Sequence, residues 1–397
     1  MAKEFIRDDF VLYSTEKKPE YIYIIINGEA EYHYDGKVKI ITSGTLGEWS
    51  ISKEDLPIEK VIIKKGTELI KISPDNLMNN ENRDRILLMM LESVSKKMLF
   101  VDEAISKEIN PVFALENFKK FHNFFTTADS EYIQTFISMK RAYRNNEFED
   151  AYRFLENIRI EDSRTKLFEE VDIWKTIIKV RMGKYPDISV FEHKDYKNNL
   201  SYNYLLGLLN NNVSGFYDLY GKYGIHFPAR SVIILEGAMT NNSYAYLLLT
   251  GGLKVGRYSD GNESILSFIQ NGEFFGESAL FQNSVRQATV YTDKEADIIL
   301  FDKEGINNIL KSYPEFMLKF IKNQLKRILF LNNLLKIKKI SDEKNRVKEF
   351  MTMFYYRVVK SNIKISEIAN ILDVKSSVVF EYISKSGYKM DPEGHLK

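Results

Sequence analysis

Two stretches of the chain carry short apolar runs broken by glycine and asparagine, and helical intervals of three and four follow each of them. Runs such as Ser231-Val-Ile-Ile-Leu, Ala245 to Thr250 and Ile265-Leu-Ser-Phe-Ile are rich in β-branched and aromatic side chains, which suit a pleated, half-buried surface. They predict many short strands closed into a jelly-roll-like barrel. After the first stretch, Leu87, Leu91, Val94, Met98, Val101 and Ile105 alternate steps of four and three; after the second, Leu318, Ile321, Leu325, Ile328, Asn332 and Leu335 do the same. Both are heptad seams.

The two stretches are diverged copies of one another. Tyr21 to Tyr34 lies over Tyr244 to Tyr258 with a slip of one residue, each reading as strand, glycine turn and strand. Leu46-Gly47-Glu48 matches Phe275-Gly276-Glu277 without a gap through to Lys71-Ile72 against Leu300-Phe301. Between the copies a helical stretch runs from about Leu115 to Ile188. Within it, Ala142 to Leu155 places small and aromatic residues around a polar turn, as a tetratricopeptide-type hairpin does, with a weaker echo at Ile178 to Tyr185. Fewer than three such repeats do not stand alone, so this segment is expected to pack on its neighbours as a connector, with a face for a protein partner.

Composition narrows the class. The 397 residues contain no cysteine and five scattered histidines, which excludes disulfides, thiolate metal sites and cysteine nucleophiles. The first residues include acidic side chains where a secretory leader has an apolar core, and no apolar run approaches the ~18 residues of a membrane span. A cytoplasmic protein with no membrane partner is expected. A formal net charge of +1 confines any nucleic-acid role to a local cluster. With no nucleophile elbow, Walker loop or metal-ligand cluster, binding is expected rather than catalysis.

The most specific chemistry lies at Phe275 to Val290. Glu277 can accept hydrogen bonds from a diol, Arg286 offers a planar pair of donors to an anion, and a helix opening near Gly276 presents backbone N–H groups. A cyclic phosphodiester needs these three things. In this order and spacing the residues resemble the cassette of the cyclic AMP receptor protein family, and 224 to about 385 is similar to that family's β-roll, dimerising helix and helix-turn-helix. The resemblance implies that Glu277 binds the ribose hydroxyl and Arg286 the cyclic phosphate, with Ser278 and Ala279 cradling that phosphate through their N–H groups. Arg286 is followed by Gln287 and Ala288; Gln287 stands where family members carry Ser, Thr or Ala. The ligand implied is cyclic AMP or cyclic GMP, with no metal. Asn332, polar in an apolar seam, is read as fixing register, and by resemblance falls near where the family reaches across its dimer to the bound base.

The first copy keeps Gly47-Glu48 but has Pro57 at the arginine position, with Glu59 and Lys60 opposite Ala288 and Thr289. Lys60 or Lys64 could compensate in part, yet Glu54, Asp55 and Glu59 would repel a phosphate. This copy is read as non-binding.

Beyond the second seam, thirteen cations lie between Lys319 and Lys364 against Asp342, Glu343 and Glu349, a cluster suited to phosphate backbones. Ile365 to Val374 has the spacing of a first helix and its turn, and Lys375 to Ser384 of a recognition helix. DNA contacts are expected at Lys375, Ser376, Ser377, Lys344 and Arg346. The recognition helix lacks arginine and glutamine, so base reading is weak.

The fold class expected is multidomain α+β. It comprises a degenerate β-roll at 1–80, a seam helix at 81–110, a tetratricopeptide-like connector at 111–200, and a cyclic-nucleotide-binding β-roll at 203–313. A dimerisation helix at 314–340 and a winged helix-turn-helix with a short wing at 341–397 complete it. The resemblance implies a cyclic-nucleotide-responsive transcription regulator that binds DNA as a homodimer through 314–340. The alternative is a scaffold acting through protein contacts, its helix-turn-helix no longer reading DNA.

Overall fold

The computed structural model describes residues 2–52, 55–105, 127–158, 165–184, 186–191, 196, 198–213, 215–238, 244–259, 262–281, 286–292, 294–361 and 363–396. Eight strands come first: β1 (Ala2–Phe5), β2 (Phe10–Tyr13), β3 (Ile22–Asn27), β4 (Ala30–Tyr34), β5 (Lys37–Ile41), β6 (Gly44–Leu46), β7 (Lys60–Ile63) and β8 (Glu68–Ile72). Among the described residues, six helices come next: α1 (Arg83–Ile105), α2 (Thr127–Arg144), α3 (Phe148–Glu156), α4 (Thr165–Arg181), α5 (Leu200–Leu209) and α6 (Gly215–Tyr223). Then come β9 (Gly224–Phe227), β10 (Val232–Ile234), β11 (Ala245–Thr250), β12 (Leu253–Ser259), β13 (Asn262–Ile269) and β14 (Phe274–Phe275). A one-turn helix α7 (Ser278–Phe281) precedes β15 (Thr289–Thr292) and β16 (Ala296–Phe301). The chain ends with α8 (Lys303–Ser312), α9 (Pro314–Lys338), α10 (Glu343–Lys360), α11 (Ile365–Leu372) and α12 (Ser376–Lys385).

These elements form two compact units, residues 1–109, 277–283 and 303–397 in one and residues 110–276 and 284–302 in the other. In the first unit, two four-stranded antiparallel sheets have the orders β1-β8-β3-β6 and β2-β7-β4-β5. Side-chain alternation decides which face turns inward: on β4, Ala30, Tyr32 and Tyr34 are buried, and Glu31 and His33 between them are not. The second unit repeats the arrangement as β9-β16-β11-β14 and β10-β15-β12-β13, each strand answering to the one eight places earlier. Register is shared as well. The bulge between Ile25 and Asn27 on β3 recurs between Leu248 and Thr250 on β11, and that between Val11 and Tyr13 on β2 recurs between Val232 and Ile234 on β10.

The connecting helices share one apolar core with the second barrel, including Phe136, Trp174, Ile177 and Tyr204 alongside Phe227, Leu248, Phe275 and Ile298. Lys140 is buried in this core, its Nζ 3.2 Å above the Trp174 ring and 3.0 Å from the Gly221 carbonyl. Burial pushes its ammonium well below the usual lysine range, against the pull of Glu170. A segment fused to its neighbour in this way is a wall of the second unit. The expected helical start near Leu115 lies outside the described residues, as does Tyr185 of the weaker echo.

In the first unit the two seam helices meet each other. Helix α1 packs along α9, burying Leu87, Leu91, Val94, Met98 and Val101 from one side and Phe320, Ile321, Leu325, Ile328 and Leu331 from the other. The apolar stripe of 314–338, expected as a dimerisation surface, is thus packed against α1 of the same chain. The stripe is also broader than a heptad seam, since Met317, Gln324, Leu334 and Ile337 are buried while Leu318 and Leu335 are only half-buried. The side chain of Ile105, the last position of the first seam, lies outside the described residues.

The C-terminal module is built on Val347, Phe350, Ile368, Leu372, Val379 and Ile383. The Asp342 carboxylate caps α10 by accepting from Asn345 N at 2.7 Å, and Asp373, at φ +52°, closes α11 and turns the chain into α12. Single bridges Lys364 to His395 and Met390 to Leu396 tie the C-terminal tail back.

Candidate functional site

The expected cassette begins at a tight turn. Gly276 has φ +70°, and a Cβ there would lie 2.9 Å from both Ile234 Cδ1 and the Tyr246 ring, so only glycine fits. Tyr246 stacks on Phe275 at 5.0 Å, closing the space that a side chain would need. Arg286 is held by its own backbone, with its N–H donating to Ala238 O at 3.0 Å and its carbonyl accepting from Gly237 N at 2.9 Å. Its Nη1 donates to Gly276 O at 3.0 Å, which brings the guanidinium to the carbonyl just ahead of the glutamate. Gln287 uses its carbonyl to accept from Arg257 Nε at 2.8 Å, and Ala288 packs against the barrel core.

Glu277 is buried at 2% exposure and heads α7, where Leu280 N donates to its carbonyl at 3.0 Å. Ser278 is half-buried and Ala279 buried, and this turn packs against α1. Residues 282–285 of the expected run lie outside the described residues.

Asn332 is hydrogen-bonded to the first barrel. It is buried on α9, and its Oδ1 accepts from the hydroxyl of Tyr34 on β4 at 3.2 Å. Its partner is therefore the first barrel of the same chain. Thr15, Asp55 to Ile58, Leu329, Asn332, Asn333 and Lys336 line a cavity of about 350 Å³ at this junction.

The first copy reproduces the turn. Gly47 has φ +78°, and a Cβ there would meet the Tyr21 carbonyl at 2.4 Å; Glu48 opens a 3-10 turn, Glu48–Ile51, as Glu277 precedes α7. Beside this turn lies a buried charge cluster that no sequence pattern marks. Lys97, from α1, lies 2.5 Å from Glu48 Oε2 and 3.2 Å from Glu59 Oε1, with side-chain exposures of 4%, 0% and 0%. Glu59 Oε1 also accepts from Trp49 Nε1 at 2.7 Å and Tyr13 OH at 3.2 Å, while Oε2 accepts from Ile58 N at 3.2 Å. Thr45 Oγ1 donates to Glu48 Oε1 at 2.5 Å. Burial alone would lower the lysine pKa, but the two carboxylates outweigh it and hold the ammonium charged above its ordinary range. Glu59 does not crowd the loop as expected; it is buried. Lys60 is exposed, and Lys64 pairs with Asp9 at 2.6 Å and Glu31 at 3.2 Å, so Lys64 is engaged away from Pro57. Glu54 lies outside the described residues.

At the C-terminal module, Lys375, Ser376 and Ser377 are exposed at the start of α12. Lys344 is exposed but sits 3.3 Å from Glu381, which also pairs with Lys385 at 2.7 Å; these two lysines lower the Glu381 carboxyl, Lys385 first. Arg346, expected as a DNA contact, has its guanidinium on backbone carbonyls. Its Nε and Nη2 donate to Ile340 O at 2.9 and 2.7 Å, and its Nη1 donates to Leu372 O at 2.8 Å and Asp373 O at 3.2 Å. A guanidinium bound to three carbonyls at a helix turn holds the turn in place.

Among the described residues, no helix is long and apolar enough to cross a membrane, and no cluster of three His, Asp or Glu could hold a metal ion.

Residues 225–313 match the family model of the cyclic nucleotide-binding domain, so the second barrel is a domain of that class. The chain is 31% identical over 105 residues to the cAMP-activated global transcriptional regulator CRP of Haemophilus influenzae, covering 26% of this chain and 46% of that protein. It is 24% identical over 110 residues to the CRP-like cAMP-activated global transcriptional regulator of Mycobacterium tuberculosis, covering 28% of this chain and 48% of that one. The chain thus spans about half the length of the curated relatives it matches. Among solved structures, the c-di-GMP responsive global regulator CLP of Xanthomonas campestris aligns with 44% of this chain and 92% of its own, at 16% identity and a TM-score of 0.35. Residues 225–313 thus form a cyclic nucleotide-binding domain, and over about this stretch the chain is similar to CRP-type regulators.

Proposed function

We propose that the chain is a cyclic-nucleotide-responsive transcription regulator in which the second barrel takes the ligand and the C-terminal module takes DNA. The observation that carries this reading is Arg286, within the matched domain, its backbone bonded to Gly237 and Ala238 and its guanidinium beside the glycine turn. A planar, permanently charged donor set suits a cyclic phosphate, and Glu277 would accept from the ribose hydroxyl. Ser278 and Ala279 would add their N–H groups. Cyclic AMP is the first ligand to test, because both relatives named above are described as cAMP-activated.

The output would run through Lys375, Ser376, Ser377 and Lys344, which suit phosphate contacts that position a module more than they read sequence. Each chain supplies one such module among the described residues. The role is binding, not turnover.

Calorimetric titration of the full chain with cyclic AMP and cyclic GMP, beside Arg286→Gln, tests the sensor. Loss of the charged contact should weaken binding about tenfold to a hundredfold. Absence of any Arg286-dependent heat sinks the reading. A gel shift with genomic fragments, with and without nucleotide and at two salt concentrations, tests the output; no ligand-dependent, sequence-selective shift would favour the scaffold.

A further inference from the structure

The gap-free alignment of 46–72 with 275–301 sets Glu59 opposite Ala288 and Pro57 opposite Arg286, so the first copy has exchanged a cation for proline and gained an acid two residues on. That acid is not expelled to solvent. Its carboxylate is buried and takes four donors: the Lys97 ammonium, the Trp49 indole, the Tyr13 hydroxyl and the Ile58 amide. Trp49 occupies the first position of the turn after Glu48, where the second copy has Ser278, so a donor still faces an anion at this turn.

We infer that the first barrel contains a complete anion site whose occupant is the chain's own Glu59 carboxylate, with Lys97 of α1 serving in place of an arginine. The barrel is self-liganded. Charge accounts for the economy of the arrangement: a bare buried carboxylate pair would be strongly unfavourable, whereas one ammonium and three neutral donors satisfy Glu59, and Thr45 and the same ammonium satisfy Glu48. The cation comes from α1 rather than from the barrel, so filling the site also fastens the barrel to the helix that packs along α9. A free nucleotide phosphate meets a site already holding a negative charge. Removing Glu59 should therefore convert the first barrel from indifferent to anion-responsive. This rests on the equivalence of the two barrels and not on the second barrel's ligand.

The test uses the full chain in an Arg286→Gln background, which silences the second cassette, with inorganic phosphate and cyclic AMP as separate probes. Hydrogen exchange is read across 44–63 and 91–101. In Arg286→Gln alone, neither probe should alter exchange in these segments. In Arg286→Gln with Glu59→Ala, exchange should quicken about tenfold to a hundredfold for the lost charged contact, and the probes should slow it again. Response to phosphate and cyclic AMP alike marks a general anion site; response to cyclic AMP only marks a nucleotide site, and both support the proposal. If Glu59→Ala does not fold, the isosteric Glu59→Gln carries the same measurement. A probe effect with Glu59 intact overturns the proposal, because the site would then be open. A folded Glu59 variant that ignores both probes also overturns it, leaving Lys97 as a plain buried ion pair.

Discussion

Replacing Ile328 by alanine probes whether the two seam helices pair within one chain. Ile328 is fully buried on α9, on the stripe that α1 covers. Truncating a buried isoleucine removes its transfer free energy and leaves a cavity, at a cost of about 2–5 kcal/mol. With tenfold in equilibrium constant for each ~1.4 kcal/mol, a cost near the middle of that range quickens exchange by roughly two decades or more in amides that open with the helix pair. The assay is hydrogen exchange across 83–105 and 314–338, for wild type and Ile328→Ala, at protein concentrations about a hundredfold apart. If α1 and α9 belong to one chain, protection at both helices is the same at the two concentrations and the mutation weakens both together. If the stripe were buried between chains, the higher concentration would add about 2.7 kcal/mol of protection. Concentration-dependent protection confined to these helices, or a mutation that loosens α9 and leaves α1 untouched, would refute the intrachain pairing.

The polar contacts carry two more expected outcomes. His226 Nδ1 lies 3.1 Å from Asp297 Oδ1; burial would lower the imidazole, but that hydrogen bond and the charges of Glu170, Asp297 and Glu295 raise it to about 9. Since the folded value exceeds the unfolded one, this contribution of about 3 kcal/mol is fully present below pH ~6.5 and lost as pH rises through about 9. The melting temperature of the second unit should fall between neutral pH and pH ~10, and His226→Gln should flatten that fall; a wild-type profile no steeper than the variant's would contradict it. Arg346→Ala should destabilise the C-terminal module by about 1–3 kcal/mol, since three carbonyls lose their donor, seen as faster exchange across 343–385. Unchanged stability with weakened DNA affinity would return Arg346 to the nucleic-acid face.

Much of the local structure was legible in the residues. Strand runs, glycine turns and the offset between copies are written in short-range patterns, because a pleated strand has a period of two and a left-handed turn wants glycine. The repeat extended even to the bulges at Asn27 and Thr250. The order Gly276-Glu277 to Arg286 was visible for the same reason: the residues lie close along the chain. The exposed start of α12 was visible too, since a turn and an amphipathic helix set it.

Lys97 and Glu59, by contrast, are 38 positions apart in sequence, and no periodicity marks either as buried; a lysine in a helix and a glutamate in a loop ordinarily face water. Arg346 looked like one cation in a basic run until the turn at Asp373 placed the carbonyls of Leu372 and Asp373 within its reach. Asn332 was recognisable as a polar group in an apolar stripe, but its partner, Tyr34, comes from the other end of the chain.

The amino-acid sequence by itself determined the elements, their repeated pattern and the proline that stands in one of two matching turns where the other has arginine, because each depends on residues within a few positions of one another. Only the tertiary structure decided what covers the helix stripes and what fills the first turn. Hydrophobic burial has no direction, so an apolar stripe states that it must be covered without naming its cover. A hydrogen-bonded charge site, in turn, exists only when distant donors converge to within about 3 Å.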